Sequence, residues 1–469
     1  MPKASVAVLE ARTVGVVHRE DGACCAGYTL LSAGTSTFLL DLDGRVAHEW
    51  HSLRTVFAAH LLDGGDLLRD GSDCDVAPMF QAGGAAGYVE RVTWAGQLVW
   101  SWAAEPRFRY LSHHDLEPMP NGHVLVLVWE RISGADAIAR GRHPELLPDG
   151  EMWDNLVVEL APPAARGGRA AEVWRFSQLD HVVQDHDAAK PNFVSDVAAH
   201  PNKLDINYCP PGGKAKCRGG GAKRHPSGLA VFDGAPGATG EKDWLHANAI
   251  SYDAERGLVL LSYNVLSEVV IIDHSKPGGG ILFRFGNAAV SRRGSRLDQE
   301  LFVQHSAQFV PTNGGDRSKV ALLLFNNGRA PDRMWSTVDE YEFDVATGAA
   351  RLVWRFGPSV GRAGSFYATH SSGVNRCANG NTLVTLGPQG IVFEVTRGSA
   401  AAPAREVWRY VSPAEGRGER QPAAFVAQGQ QRQAGRFDLF NTRRYALDHP
   451  AFHSRVLTPG RHLEGEPAA

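Results

Sequence analysis

One motif recurs six times along the chain, and this repetition constrains the fold more than any other feature. Each copy has an alternating apolar strand, a short turn, and a second strand with a late aromatic residue. The copies occupy residues 37–50, 87–100, 155–176, 269–285, 338–356 and 391–410. Strict alternation predicts paired β-strands. A unit that repeats along the whole chain predicts a repeat architecture.

A second hairpin pattern precedes every copy after the first. Turn pairs such as Asn121-Gly122 and Asn379-Gly380 mark these hairpins. Two hairpins make a four-stranded sheet, which is one blade of a β-propeller. We therefore predict an all-β fold, a six-bladed β-propeller. Residues 27–32 would form the second strand of the first blade and residues 437–447 its inner strand. The N- and C-terminal strands would thus close the ring and leave no open sheet edge.

The six blades use the whole chain, so we predict one domain over residues 1–469. Two insertions interrupt the repeats, at residues 179–242 and 411–436. Long loops in a compact fold are usually functional or disordered. We expect both insertions near the mouth of the central channel, where they would act as cap loops.

Composition narrows the class of partner. The 48 basic and 51 acidic residues nearly cancel, which argues against nucleic-acid binding. No apolar run is long enough for a membrane span. No signal peptide is visible, so the sequence predicts a cytoplasmic protein or a processed exported form. The spacing of the six cysteines does not favour a thiolate zinc site, and Cys209 and Cys217 could be paired or inert.

A histidine occupies the same inner-strand position in five blades. These residues are His60, His114, His246, His305 and His370, out of 19 histidines in the chain. Equivalent positions of a repeat lie at equivalent places in the fold, so the five imidazoles are expected to converge near one mouth of the channel. Crowded imidazoles depress each other's pKa values, which keeps them neutral and able to act as nucleophiles or ligands.

Amide and guanidinium side chains surround these histidines in the sequence. They are Asn248, Gln304, Asn327, Arg329 and Arg443. Neutral imidazoles together with arginine and amide donors suit an oxyanion such as a sulfate or phosphate group. The sequence therefore favours a small-molecule site in the channel.

Three segments resemble the arylsulfotransferase family of β-propellers, the sulfotransferases that use no nucleotide donor. They are DWLHANAISYD (243–253), FVQHSAQFVP (302–311) with FNNGR (325–329), and THSSGVNRCANGNTLV (369–384). The resemblance implies that His370 attacks the sulfur of an aryl sulfate and becomes a sulfohistidine. It implies that His246, His305 and Arg329 assist, and it requires no cofactor. A small aromatic substrate would then contact His60, His114, Asn248, Gln304, Asn327 and Arg443.

Two other functions remain open from the sequence. His60 and His114 are surplus to sulfuryl transfer, and His60, His114, His246, His305 and His370 could instead hold a transition metal such as Fe, Cu or Zn. Such an enzyme would perform oxidation, hydration or lyase chemistry on a small substrate. The third possibility is a binding propeller without catalysis, since the fold alone does not settle function.

Overall fold

The protein folds into six antiparallel blades around a common channel, as the repeats predict; five have four strands, and the sixth has an additional fifth strand. The computed structural model describes residues 12–80, 82–147, 150–208, 242–312, 315–316, 318–358, 366–399, 402–416 and 420–465. Cys209 and Cys217 lie outside these residues. Each blade contacts the next in turn around the channel, and the sixth blade returns to the first.

The blades follow the chain order, each written from the inner strand outward. Blade 1 contains Thr442–Ala446, Gly27–Ala33, Ser36–Leu40 and Val46–His51, and blade 2 contains Ala59–Leu61, Leu67–Ser72, Gly87–Val92 and Leu98–Trp102. Blade 3 contains Tyr110–Pro118, Val124–Ser133, Glu151–Ala161 and Ala171–Ser177, and blade 4 contains Ala247–Asp253, Leu258–Tyr263, Glu268–Asp273 and Ile281–Phe285. Blade 5 contains His305–Val310, Lys319–Asn326, Thr337–Asp344 and Ala350–Phe356, and blade 6 contains Gly373–Arg376, Thr382–Leu386, Ile391–Val395 and Glu406–Val411.

Both ends of the chain close the ring. Thr442–Ala446 pairs with Gly27–Ala33, so the C-terminal segment supplies the inner strand of blade 1 as predicted. Gly15–Arg19 adds a fifth, outermost strand to blade 6 through Glu406–Val411. Each end therefore covers a sheet edge that would otherwise be exposed.

The core lies between neighbouring blades, where the apolar faces of two sheets meet. Between blades 3 and 4, Leu127 and Val157 belong to the same buried cluster as Val259 and Leu261. Trp408 belongs to the corresponding cluster between blades 6 and 1. Full burial of one such aliphatic side chain contributes about 1.5–3 kcal/mol. These clusters hold the inner strands at fixed distances around the channel.

The rest of the described chain is short loops and turns. One α-helix spans Gly134–Ala139. The 3-10 helices are Ala77–Met79, Pro144–Leu146, Gln178–His181, Val197–Ala199, Arg296–Asp298, Gly387–Gln389 and Pro450–Phe452. The first insertion pairs Val182–Val183 with Leu204–Asp205, and the second pairs Ala414–Glu415 with Ala424–Phe425. Within the described part of the chain, no helix is long and apolar enough to cross a membrane.

Candidate functional site

A cavity of about 300 Å³ lies in the channel and is lined by four of the five repeat histidines. The loops around residues 83 and 438 also contribute to its walls. The lining residues are Phe57, Gly83, Gly84, His114, His246, Asn264, Val303, His305, Thr369, His370, Ser371, Asp438, Leu439 and Phe440. Apart from the histidines, Asp438 is the one ionisable side chain in this lining.

Irregular backbone turns these histidines toward the cavity. His114 has a φ of 55° and His246 a φ of 51°, and the residues after His305 and His370 have φ values of 53° and 48°. Strand pairing also shifts register at the first three sites. A left-handed conformation costs a non-glycine residue of order 1–3 kcal/mol and persists only where packing enforces it. Bulges of this kind re-aim a side chain next to a functional site.

His246 is held by a buried carboxylate. The Nδ1 atom of its ring hydrogen-bonds Oδ2 of Asp243, and its backbone N–H donates to Oδ1 of Asp243 at 3.1 Å. Both side chains are almost completely buried. A carboxylate on Nδ1 selects the tautomer that carries its proton there. The other ring nitrogen, Nε2, is thereby left to act as acceptor or, once protonated, as donor.

His305 is held by an amide instead. Its Nδ1 lies 2.8 Å from Oδ1 of Asn327, and Nδ2 of Asn327 donates to the carbonyl oxygens of Ala368 and Ser371. Because the amide oxygen only accepts, Nδ1 of His305 carries the proton. Burial, with added repulsion from His246 and His370, lowers the pKa of His305 to about 3. His305 is therefore neutral at physiological pH.

His114 belongs to a stacked aromatic layer. Its Nδ1 lies 2.9 Å from Nδ1 of His113, whose ring stacks on Trp129 at 4.0 Å between centroids. Burial holds the pKa of His114 well below its ordinary value, and His246 lowers it further. The backbone N–H of His114 donates to the carbonyl of Gly84 at 2.8 Å, which fixes the loop over the ring.

His370 is the most exposed of the four histidines. Its side chain is 35% exposed, and its Nδ1 lies 2.9 Å from the hydroxyl of Thr369. Its Nε2 lies 3.9 Å from Oδ2 of Asp438, which is 51% exposed. When Nδ1 donates to Thr369, Nε2 carries the lone pair. An incoming molecule can therefore reach this ring more easily than the other three.

The fifth repeat histidine lies elsewhere, which corrects the expectation that all five converge. His60 lines a separate cavity of about 10 Å³, together with Asp115, Asn441 and Arg443. Its strand, Ala59–Leu61, pairs without a register shift, so no bulge turns the ring toward the larger cavity. Burial holds the pKa of His60 well below its ordinary value, with Arg443 adding repulsion.

The remaining sequence candidates lie outside the lining of the larger cavity. Asn248 donates to the carbonyl of Gln304 at 2.8 Å, and Gln304 donates to Ser262, Tyr263 and Glu268. Both amides thus link blades 4 and 5. Asn327 acts on the site through His305 rather than by lining it. Arg329 is half-buried two residues after Asn327 and is likewise outside the lining.

The structure also brings in residues that the sequence did not single out. Asp243 precedes the inner strand of blade 4 and follows the first insertion, so it falls outside the repeat pattern. Gly84 and Phe440 come from loops, where the repeat gives no register. The Asp-x-x-His spacing of Asp243 and His246 was the one signal available for the carboxylate.

The metal hypothesis finds no matching ligand cluster. Among the residues that the structure describes, no three His, Cys, Asp or Glu side chains are grouped so that they could hold a metal ion. Nδ1 of His246 and Nδ1 of His305 are each hydrogen-bonded to a protein oxygen.

Solved structures offer only distant likenesses. A protein of unknown function from Bacteroides caccae is 9% identical, with 79% of this chain and 90% of that chain covered and a TM-score of 0.39. The periplasmic gluconolactonase PpgL of Pseudomonas aeruginosa is 12% identical, with 82% and 96% covered and a TM-score of 0.36. An inactive virginiamycin B lyase from Staphylococcus aureus is 8% identical, with 84% and 88% covered and a TM-score of 0.35. At these values no property of those proteins carries over.

Family comparison is more informative. No curated protein matches the sequence. The family model for arylsulfotransferase (ASST) matches residues 173–407, which is half of the chain and includes His246, His305 and His370. Membership in that family supports a sulfotransferase-like function and places the protein among the transferases. The chain belongs to the arylsulfotransferase (ASST) family.

Proposed function

We propose that the protein transfers a sulfuryl group from an aryl sulfate to a phenol, through a sulfohistidine formed on His370. The observation that carries this proposal is the convergence of His114, His246, His305 and His370 on one cavity in a chain of this family. A neutral imidazole is a competent nucleophile, and His370 is the most exposed member of the set.

Each half of the reaction balances without a cofactor. In the first half, Nε2 of His370 attacks sulfur, the N–S bond forms and the S–O bond to the aryl group breaks. The phenolate leaves with the electron pair and takes a proton from a neighbouring imidazolium. In the second half, an acceptor phenol gives its proton to the same imidazole and its oxygen attacks sulfur, which breaks the N–S bond.

The walls of the cavity fit an aromatic ring. Phe57, Val303, Leu439 and Phe440 supply apolar surface beside the histidines. Asp438 lies 3.9 Å from Nε2 of His370, and a nearby carboxylate favours the positive charge that the ring gains when it takes up the sulfuryl group.

Arg329 has a different part in this proposal from the one that the family resemblance implies. Its side chain stands outside the cavity lining, so we propose that its charge attracts the anionic donor without direct contact. Replacing Arg329 with Gln should raise KM at low salt, and added salt should remove the difference between variant and wild type.

The test is a transfer assay with 4-nitrophenyl sulfate as donor and phenol as acceptor, run with and without a chelator. The proposal predicts release of 4-nitrophenol, formation of phenyl sulfate and no effect of the chelator. Elemental analysis of the same sample tests the metal hypothesis directly. Activity that disappears with the chelator and returns with Fe, Cu or Zn would replace sulfuryl transfer by metal chemistry.

A further inference from the structure

The Asp243 carboxylate makes two hydrogen bonds to one residue, His246. It accepts the backbone N–H and the ring Nδ1 of His246. Asn155 holds both partners, since its Oδ1 accepts the N–H of Ala247 at 3.0 Å and its Nδ2 lies 3.5 Å from Oδ1 of Asp243. The carboxylate, the imidazole and the bulged backbone between them therefore form one fixed unit.

The other two buried histidines of the cavity are held by different groups. His305 contacts an amide oxygen through Nδ1, and His114 contacts another imidazole. Neither partner carries a negative charge, so neither offsets the cost of burying an imidazolium. Among the buried histidines that line the cavity in the described structure, His246 has the one carboxylate in hydrogen-bonding contact.

We propose that Asp243 is a positioning residue that makes His246 the proton carrier of the cavity. This inference rests on the proposed sulfuryl transfer and deepens it, because it distinguishes the roles of His246 and His305. With its Nδ1 proton held by Asp243, charged His246 donates the Nε2 proton to the leaving phenolate. Neutral His246 then accepts the proton of the next phenol at the same nitrogen, so the proton is returned in each cycle.

The leaving group provides a test that a purely structural role would not pass. A 4-nitrophenolate ion is a weak base and leaves without a proton, whereas the phenolate ion is strongly basic and needs one. Asp243→Asn should therefore lower kcat with phenyl sulfate by about 10²-fold or more, the scale of one general acid. With 4-nitrophenyl sulfate the loss should stay below about tenfold, and KM should change little with either ester. Asp243→Glu should restore part of the loss with phenyl sulfate.

Asp154→Asn is the matched control. Asp154 is as buried as Asp243 and comes from the neighbouring blade, but its carboxylate hydrogen-bonds Ser177 instead of a histidine. This variant should change kcat by the same factor with phenyl sulfate and with 4-nitrophenyl sulfate. Thermal unfolding of both variants reports whether the fold is kept.

The outcomes separate two failures. Equal losses with both esters in Asp243→Asn, or a loss that Asp154→Asn reproduces, would overturn the role of Asp243 while leaving sulfuryl transfer intact. A wild-type protein that releases no phenol from either ester would overturn the proposed function and this inference with it.

The Nδ1 proton of His246 gives an independent readout by NMR. A low-field signal present in the wild type and absent in Asp243→Asn is expected, and its absence from the wild type would contradict the inference.

Discussion

The rings of His114 and His246 meet edge to face, with centroids 4.5 Å apart and an angle of 85° between their planes. His114 lies in the inner strand of blade 3 and His246 directly precedes that of blade 4, and both have left-handed backbone conformations. Each ring also contacts Trp129. Two histidines of the candidate site are thus in direct contact across the boundary between blades 3 and 4, so a substitution of one should change the position of the other.

Gly84 should be sensitive to any side chain because of this arrangement. A Cβ atom at Gly84 would lie 2.4 Å from the ring of His114, and the residue has a φ of +80°. Gly96 has a similar φ of +75° with nothing within 4 Å of its Cβ position, which makes it the matched control. Gly96→Ala should cost about 1–2 kcal/mol of stability and leave kcat unchanged. Gly84→Ala should cost more and should also lower kcat, as chemical denaturation and the transfer assay would show. Equal effects of the two substitutions would show that close contact between residue 84 and the ring of His114 does not matter for activity.

Asn327 should set the pH range in which His305 works. Its amide oxygen accepts from Nδ1 of His305, and burial lowers the pKa of that histidine to about 3. Asn327→Asp places a carboxylate in the same position, which favours the charged imidazole and raises its pKa. The low-pH limb of the kcat profile should therefore move to higher pH in the variant. A pH profile of unchanged position would mean that His305 does not act as a neutral group.

Asp70 should make the protein less stable in alkali. Its Oδ1 accepts the N–H of Phe57 at 2.7 Å, and its Oδ2 is buried with no hydrogen-bond partner among the residues that the structure describes. Burial raises the pKa of Asp70 to about 8. Because the folded value lies above the unfolded one, the folded state binds the proton more tightly. The stabilisation is complete below about pH 4 and is lost as the pH rises toward 8, by up to about 1.4 kcal/mol per pH unit. Asp70→Asn should remove this component, so its melting temperature should fall less than that of the wild type between pH 6 and pH 9. Parallel curves would contradict the assignment.

The seam between blades 6 and 1 should depend on one buried ion pair. Arg444 and Glu394 are both fully buried, with 3.3 Å between Nη1 and Oε2. Arg444 also donates to Thr29 and to the carbonyl of Cys25. Removing one partner of such a pair costs about 3–5 kcal/mol, because the other charge is left buried and unpaired. Arg444→Met should show this loss in urea unfolding. The exposed pair of Arg405 and Glu20 is the control, and Arg405→Met should cost no more than about 1 kcal/mol.

The propeller could be predicted from the sequence because its signals are local. Alternation and turn residues identify each hairpin, and the unpaired segment at 437–447 is the natural partner for the incomplete first blade. The position of each histidine along the channel axis could not be predicted in this way. His60 and His114 hold the same repeat position, yet a bulge shifts only the second of them, and such a bulge leaves no mark in the apolar pattern.

Partners that lie outside the repeat could not be predicted for a related reason. Asp243 reaches His246 because the chain bends at residues 243–245, just before the inner strand of blade 4. Phe440 reaches the cavity because the segment before the closing strand crosses its wall. In both cases the contact depends on the local path of a loop, which the repeat pattern does not determine.

The central claim is that the sulfuryl group is carried on His370 as a sulfohistidine. Trapping this intermediate tests the claim most directly. The protein would be mixed with 4-nitrophenyl sulfate in the absence of any acceptor, quenched in alkali, and examined by intact mass and peptide mapping. We predict a burst of one 4-nitrophenol per chain and the added mass of one SO₃ group on the peptide that contains His370. His370→Asn should show neither. A burst with the SO₃ group on another histidine, or turnover by His370→Asn at the wild-type rate, would contradict the account.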